Sequence, residues 1–242
     1  MEIKQLVRAV SDAILLLQSV LPPFPFFYLR IMYNLSWFKE NDAATVKAFM
    51  HQYPFAMLMG VGTNGMPVAT QIPFLIKETE NKLFLRGHIM RQTDHHKAFM
   101  QNPQALVVFT GPQTYVSASW YSNPLQGSTW NYMSVHARGV IRFLEEAELF
   151  QVLRETTALF ENNPQSPALF DKLESDYVNK LAKAIIAIEI EVQQVENVFK
   201  LSQNRDKESY LNIIDQLKKG NEDAQQIASE MQARFEILYQ DK

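Results

Sequence analysis

The sequence predicts a mainly antiparallel β-barrel with helical additions, on three observations. Short apolar or alternating runs recur between Phe55 and Leu144, each bounded by turn chemistry. One of them, Thr129–Leu144, is a long strand whose second half alternates apolar and polar residues. After Glu145 the period changes to that of a helix, and a last strand signal, AIIAIEIEV at Ala184–Val192, returns to period two. Tight turns between short strands, with helices added at the flanks, are the signature of a barrel architecture.

Each element has its own warrant. Asp42 is a helix N-cap for Ala43–Gln52, which ends before Pro54. Phe55–Val61 is an apolar strand. Thr63-Asn64-Gly65 is a hairpin turn, because Asn-Gly tolerates positive φ at both centres. Pro67–Lys77 returns as a strand, Glu80-Asn81 turns again, and Lys82–Gly87 is the third strand. Thr93–Asn102 is a short helix stopped by Pro103. Ala105–Gly111 and Thr114–Ser119 are two strands joined at Gly111-Pro112. Glu146–Asn162 has helical periodicity, Leu169–Ala182 reads as one or two short helices, and Asp206–Lys219 and Asn221–Tyr239 as two amphipathic ones.

Bulk properties narrow the function. A chain of 242 residues, 47% hydrophobic and 20% charged, has the composition of a globular protein with a full core. The net charge of −3 gives no electrostatic footprint for nucleic acid, and no recognition-helix motif is present, so direct DNA binding is not expected. With no cysteine there is no disulfide, thiolate metal site or thiol nucleophile, which fits a reducing cytoplasm. At the N-terminus, Lys4 and Arg8 precede an uncharged run from Ala13 to Leu29. Pro22, Pro23 and Pro25 interrupt it, so a membrane span is disfavoured. The expectation is an amphipathic helix over about Ile3 to Leu21, with Met32 as an alternative natural start.

Four segments carry chemical potential. Tyr115–Arg142 concentrates Trp120, Tyr121, Trp130 and Tyr132 around a loop with Pro124 and Gly127, and holds two of the chain's three tryptophans. That much rigid aromatic area suits a stacked planar ligand or a subunit contact; core packing is the plainer alternative. GHIMRQTDHHKAF, Gly87–Phe99, brings His88, Arg91 and Lys97 to a helix start, where cations and free N–H groups can hold a phosphate. His95 and His96 are adjacent and diverge, so no metal site is expected. Thr70 and Gln71 interrupt the apolar strand VATQIPF and can meet a ring edge or simply a neighbouring strand. KLSQNR, Lys200–Arg205, is either a capping turn with Asn204 or Asp206 as N-cap, or a phosphate or subunit contact through Lys200 and Arg205.

Taken in order, MYNLSWF (Met32–Phe38), GHIMR, FTGPQTYVSASWY (Phe109–Tyr121), TWNYMSVHARG (Thr129–Gly139) and KLSQNR resemble the PaiB-type family of FMN-binding negative transcriptional regulators. The resemblance runs from about Met32 to the C-terminal helices. It implies an FMN-binding split β-barrel of the pyridoxamine-phosphate-oxidase-like class, usually homodimeric with FMN at the subunit interface, in a bacterial, cytoplasmic regulator. It implies three regions: an extension at 1–31, a split-barrel FMN domain at 32–205 and C-terminal helices at 206–242. Carried onto this chain, Thr70, Gln71 and Ile72 would line the flavin ring. His88, Arg91 and Lys97 would meet the phosphate or ribityl chain. Trp120, Trp130 and Tyr132 would pack on the ring or close the dimer. No residue is marked as catalytic. An FMN-dependent oxidoreductase acting on a small substrate is the alternative function, and a cofactor-free scaffold the third.

Overall fold

The computed structural model describes residues 35–79 and 82–239; the N-terminal extension with its expected helix lies outside them. Seven strands form one antiparallel sheet: β1 (Phe55–Val61), β2 (Pro67–Pro73), β3 (Leu75–Thr79), β4 (Lys82–Met90), β5 (Gln104–Val116), β6 (Thr129–Phe143) and β7 (Ile185–Lys200). Their spatial order is β2-β1-β5-β6-β7-β4-β3. The two edge strands, β2 and β3, are consecutive in the chain and separated only by Phe74. Neighbouring Cα atoms are about 3.8 Å apart, so the sheet must curl until its edges meet. Gly87 of β4 confirms the approach, since a Cβ there would lie 3.1 Å from both Ile72 Cδ1 and the Pro73 carbonyl. No ladder joins β2 to β3 or β4, so the barrel is curled but split.

Six α-helices accompany the sheet among the described residues: α1 (Ala43–Gln52), α2 (Asp94–Gln101), α3 (Glu146–Glu161), α4 (Ser175–Ala182), α5 (Lys207–Leu217) and α6 (Glu222–Tyr239). Asp42 caps α1 as expected, accepting from the N–H groups of Ala44 and Thr45. Asp206, one of the two candidates, caps α5. Inward-facing Leu58, Val107, Phe109, Val135, Ile188 and Ile190 form the barrel core. The two C-terminal helices add Tyr210, Ile213, Ile214, Ile227 and Met231 to the same core. A second apolar layer lies outside the sheet, where Leu149 and Val152 of α3 pack on Leu75 and Ala187.

Local differences from the sequence reading have physical causes. Pro67–Lys77 is two strands, because Phe74 turns its buried ring inward and sends its N–H to the Pro54 carbonyl at 2.9 Å. Gln104–Val116 is one strand, not two. It absorbs Pro112, which has no N–H to donate, in a bulge between Thr110 and Gln113. The hairpin at 62–66 has positive φ only at Gly65, at 78°, with Gly65 N–H on the Gly62 carbonyl: a type I turn followed by a left-handed glycine. Strand β4 continues past Gly87 to Met90, and β7 past Val192 to Lys200.

Candidate functional site

The outer surface of the barrel has two halves. One lies under α3. No described helix covers the other, which spans β2, β1, β5, β6 and the second half of β7. Register places Gln71, Met57, Val108, His136 and Glu196 in one cross-strand row on it. The next row is Ala69, Met59, Leu106, Arg138 and Gln194. Alternation turns these side chains outward while Ala56, Leu58, Val107, Val135 and Ala137 point into the core.

Three polar atoms in these rows are buried without a hydrogen-bond partner among the described residues: His136 Nδ1, Arg138 Nε and Glu196 Oε2. Arg138 Nε stands 3.8 Å from Glu196 Oε2, close enough for attraction and too far for a hydrogen bond. Burial, helped by the charge of Arg138, holds the His136 pKa below its ordinary value against the opposing pull of Glu196. Buried polar groups left unmatched are costly, so such a cluster points to an external partner.

Further along the same face, Trp130 and Tyr115 meet edge to face at 6.0 Å. They are 53% and 48% exposed, an aromatic surface with nothing described upon it. Tyr132 follows on β6, in register with Gln113 and Lys200. Trp120 ends a short turn, Ala118–Trp120, and rests partly buried against the core. Tyr121 is buried.

The other predicted residues sit elsewhere. Thr70 and Ile72 point inward on edge strand β2, and Gln71 points outward into the row of His136. An edge strand keeps one line of backbone N–H and C=O groups outside the ladder, suited to a ring edge. His88 lies on the half covered by α3, in register with Ala187, and burial lowers its pKa. Arg91 donates from its backbone N–H to the Ala184 carbonyl and from Nε to the Ile185 carbonyl. It lines a cavity of about 280 Å³ with Leu144, Leu149 and Lys183. Lys97 is exposed on α2. His96 is buried edge-on to Phe143, and His95 turns to Asp94 and Thr93, so the adjacent pair diverges as their spacing requires. No metal-binding cluster occurs among the described residues.

One chain therefore does not gather the nine predicted residues. Gln71 and Trp130 share a face, but they are six residues apart along β6 register and three strands apart across it. At about 3.3 Å per residue and 4.8 Å per strand, that is roughly 20 Å by 14 Å. A single planar ring cannot touch both.

A family model described as "Putative FMN-binding domain" matches residues 32–194. The chain belongs to this FMN-binding family. It is 31% identical over 205 residues to the protease synthase and sporulation protein PAI 2 of Bacillus subtilis, covering 84% of this chain and 98% of that one. Among solved structures it resembles a conserved hypothetical protein of Mycobacterium tuberculosis (TM-score 0.51, 11% identity, 70% of this chain and 91% of that). It also resembles an FAD- and heme-binding protein of Mycobacterium smegmatis (TM-score 0.50, 18% identity, 66% and 72%). At such identities the likeness is one of fold.

FMN is accordingly the cofactor of this chain, and the residues present fit it. The unpartnered Arg138 Nε, with His136 Nδ1 and Glu196 Oε2 beside it, suits a ligand edge that carries both carbonyl and N–H groups. The Tyr115–Trp130 surface suits a flat ring. The sequence reading gave no site role to Arg138, Glu196 or Tyr115. The alternation of β6 exposes Arg138 and His136 as one outward series, but only the register of β7 brings Glu196 to them.

Proposed function

We propose that the chain is a PaiB-like regulator that works as a homodimer, with FMN between the subunits on the helix-free face. The observation that carries this reading is the cluster of His136, Arg138 and Glu196 on that face, each with one buried polar atom that has no hydrogen-bond partner among the described residues. A second copy supplies the missing partners by symmetry, because a two-fold contact sets each patch against itself. It also resolves the scatter of the predicted residues. The edge strand with Thr70, Gln71 and Ile72, and Lys97 with the α2 start, belong to one subunit; Trp120, Trp130 and Tyr132 come from the other. His88 and Arg91, on the half under α3, take no part in the site in this reading.

FMN, when bound, supplies redox chemistry, and the protein supplies binding and orientation. The described residues offer stacking surface and cations but no evident proton donor aimed at a substrate. The name of the Bacillus subtilis relative, protease synthase and sporulation protein PAI 2, ties that protein to sporulation and supports regulation over turnover here. The net charge of −3 supports action through a protein partner instead of direct DNA binding.

Sedimentation of the FMN-loaded protein tests the reading. The expected result is a dimer that Arg138→Glu converts to monomer with weakened FMN retention. A wild-type monomer that binds FMN fully removes the interface from the proposal. Steady oxidation of NADH or NADPH by the loaded protein moves the assignment to an oxidoreductase.

A further inference from the structure

The aromatic loop is held by residues that follow the matched family stretch, which ends at residue 194. Arg205 is the centre of the contact. Its guanidinium carbon lies 4.1 Å from the centroid of the Tyr121 ring. One terminal nitrogen donates to the Tyr121 hydroxyl at 3.3 Å and to the Gly127 carbonyl at 3.4 Å. The other donates to Gln126 Oε1. Only Nε is left buried without a partner among the described residues.

The arginine is itself fixed on both sides. Its N–H donates to the Ser202 carbonyl at 3.0 Å, and its carbonyl accepts from the Tyr239 hydroxyl at 2.8 Å. Ser202 has φ 62° and donates from Oγ to Asn131 Oδ1 at 2.9 Å, tying the segment to β6 beside Trp130. The loop gains two more ties to the start of α5. Ser122 N–H donates to Ser209 Oγ at 2.9 Å, and Ser122 Oγ to Asp206 at 3.3 Å. Lys200 donates to the Thr129 hydroxyl at the loop's far end. At the loop tip the Leu125 side chain is 91% exposed, while its N–H donates to Asn123 Oδ1 at 3.0 Å.

We infer that Arg205 is a positioning residue for the cofactor: it clamps the loop between Tyr121 and Gly127 and so fixes Trp120 and Trp130, which flank it. This rests on the reading of those tryptophans as part of the FMN site. A planar guanidinium does this work better than an ammonium, because it stacks on a ring and donates in two directions at once. The clamp links the C-terminal helices to the cofactor, since Tyr239 of α6 holds the arginine's carbonyl.

The test measures two quantities on full-length Arg205→Gln and Arg205→Lys: amide exchange in residues 122–128, and FMN affinity by quenching of flavin fluorescence. Loss of several coupled hydrogen bonds is expected to speed exchange in the loop about tenfold or more and to weaken FMN about tenfold in Arg205→Gln, with partial recovery in Arg205→Lys. Loosened exchange with unchanged FMN affinity overturns the positioning role while leaving the cofactor reading intact. Unchanged exchange overturns the clamp itself. No FMN binding by the unaltered protein sinks the cofactor reading, and the positioning role with it. Should Arg205→Gln not fold, Gln126→Ala removes one partner from the exposed side. A smaller shift of both quantities in the same direction supports the inference, and no shift in either overturns it.

Discussion

Glu189 shows how a residue's role departs from its place in a pattern. In AIIAIEIEV it reads with Glu191 as the solvent side of a strand. Glu191 is exposed, in an ion pair with the exposed Lys82 at 2.8 Å, a contact of little energetic weight. Glu189 is 4% exposed, between Arg86 Nε at 2.5 Å and Arg142 Nε at 2.9 Å. The register puts all three on one cross-strand line, and α3 covers that half of the sheet. A carboxylate held there by two guanidiniums is hard to replace. Glu189→Gln keeps the shape but leaves two cations facing a neutral amide. It is expected to lower the unfolding free energy by about 2–3 kcal/mol, measured by chemical denaturation. A loss no larger than that of a surface pair would show that solvent reaches the cluster.

At the scale of elements, β6 was legible from end to end, and β7 only in its first half. The reason lies in the ladder between them. Gly139 faces Val192 and Arg138 faces Gln194, so Gln193 is an extra residue on β7. The insertion shifts the outward series from odd to even numbers. Read with fixed period two, VQQVENVF no longer looks like the continuation of a strand. Pro112 misleads in the same way in β5, since a proline between two apolar runs looks like a turn until a bulge accommodates it. The helices were legible because caps and periodicity are local; bulges are decided by the partner strand. Gly139 is where this partner comes closest: a Cβ there would lie 2.2 Å from the Glu191 carbonyl oxygen. Backbone cannot yield as a flexible side chain can. Gly139→Ala is expected to cost about 3 kcal/mol and to lower soluble yield, the upper range for overpacking. An alanine variant with wild-type denaturation would mean that the β6–β7 ladder slides freely at the bulge.

Across the whole molecule, the family and the cofactor were legible in ordered strings of residues, whereas the face on which each residue stands was not. Trp130 and Gln71 look like parts of one site in sequence, and the curled sheet sets them far apart on its outer surface. Burial also sets a property that no string displays, the response to acid. His88, His96 and His136 all have pKa values held below the ordinary 6.5, in each case chiefly by burial. For His96 the charges of Arg91, His95 and Lys97 add to the effect, and for His136 that of Arg138 does. In the unfolded chain each histidine takes up its proton near 6.5; in the folded chain it does so only at lower pH. Between those values the unfolded state binds more protons, so stability rises with pH. The contribution is complete above about 6.5 and is lost as the pH falls toward the folded values. Asp42, Asp94 and Asp206 have pKa values lowered chiefly by hydrogen bonds, and their contribution is lost only in stronger acid, as the pH falls below about 3.8. Acid unfolding should therefore begin well before the carboxylates titrate. Denaturation midpoints measured from pH 8 down to pH 5, at about unit steps, are expected to hold near the top of the range and then fall below about 6.5. His88→Gln, which lies away from the proposed interface, is expected to flatten that fall without moving the dimer. A midpoint independent of pH across this range would show that the three imidazoles reach water in the folded protein.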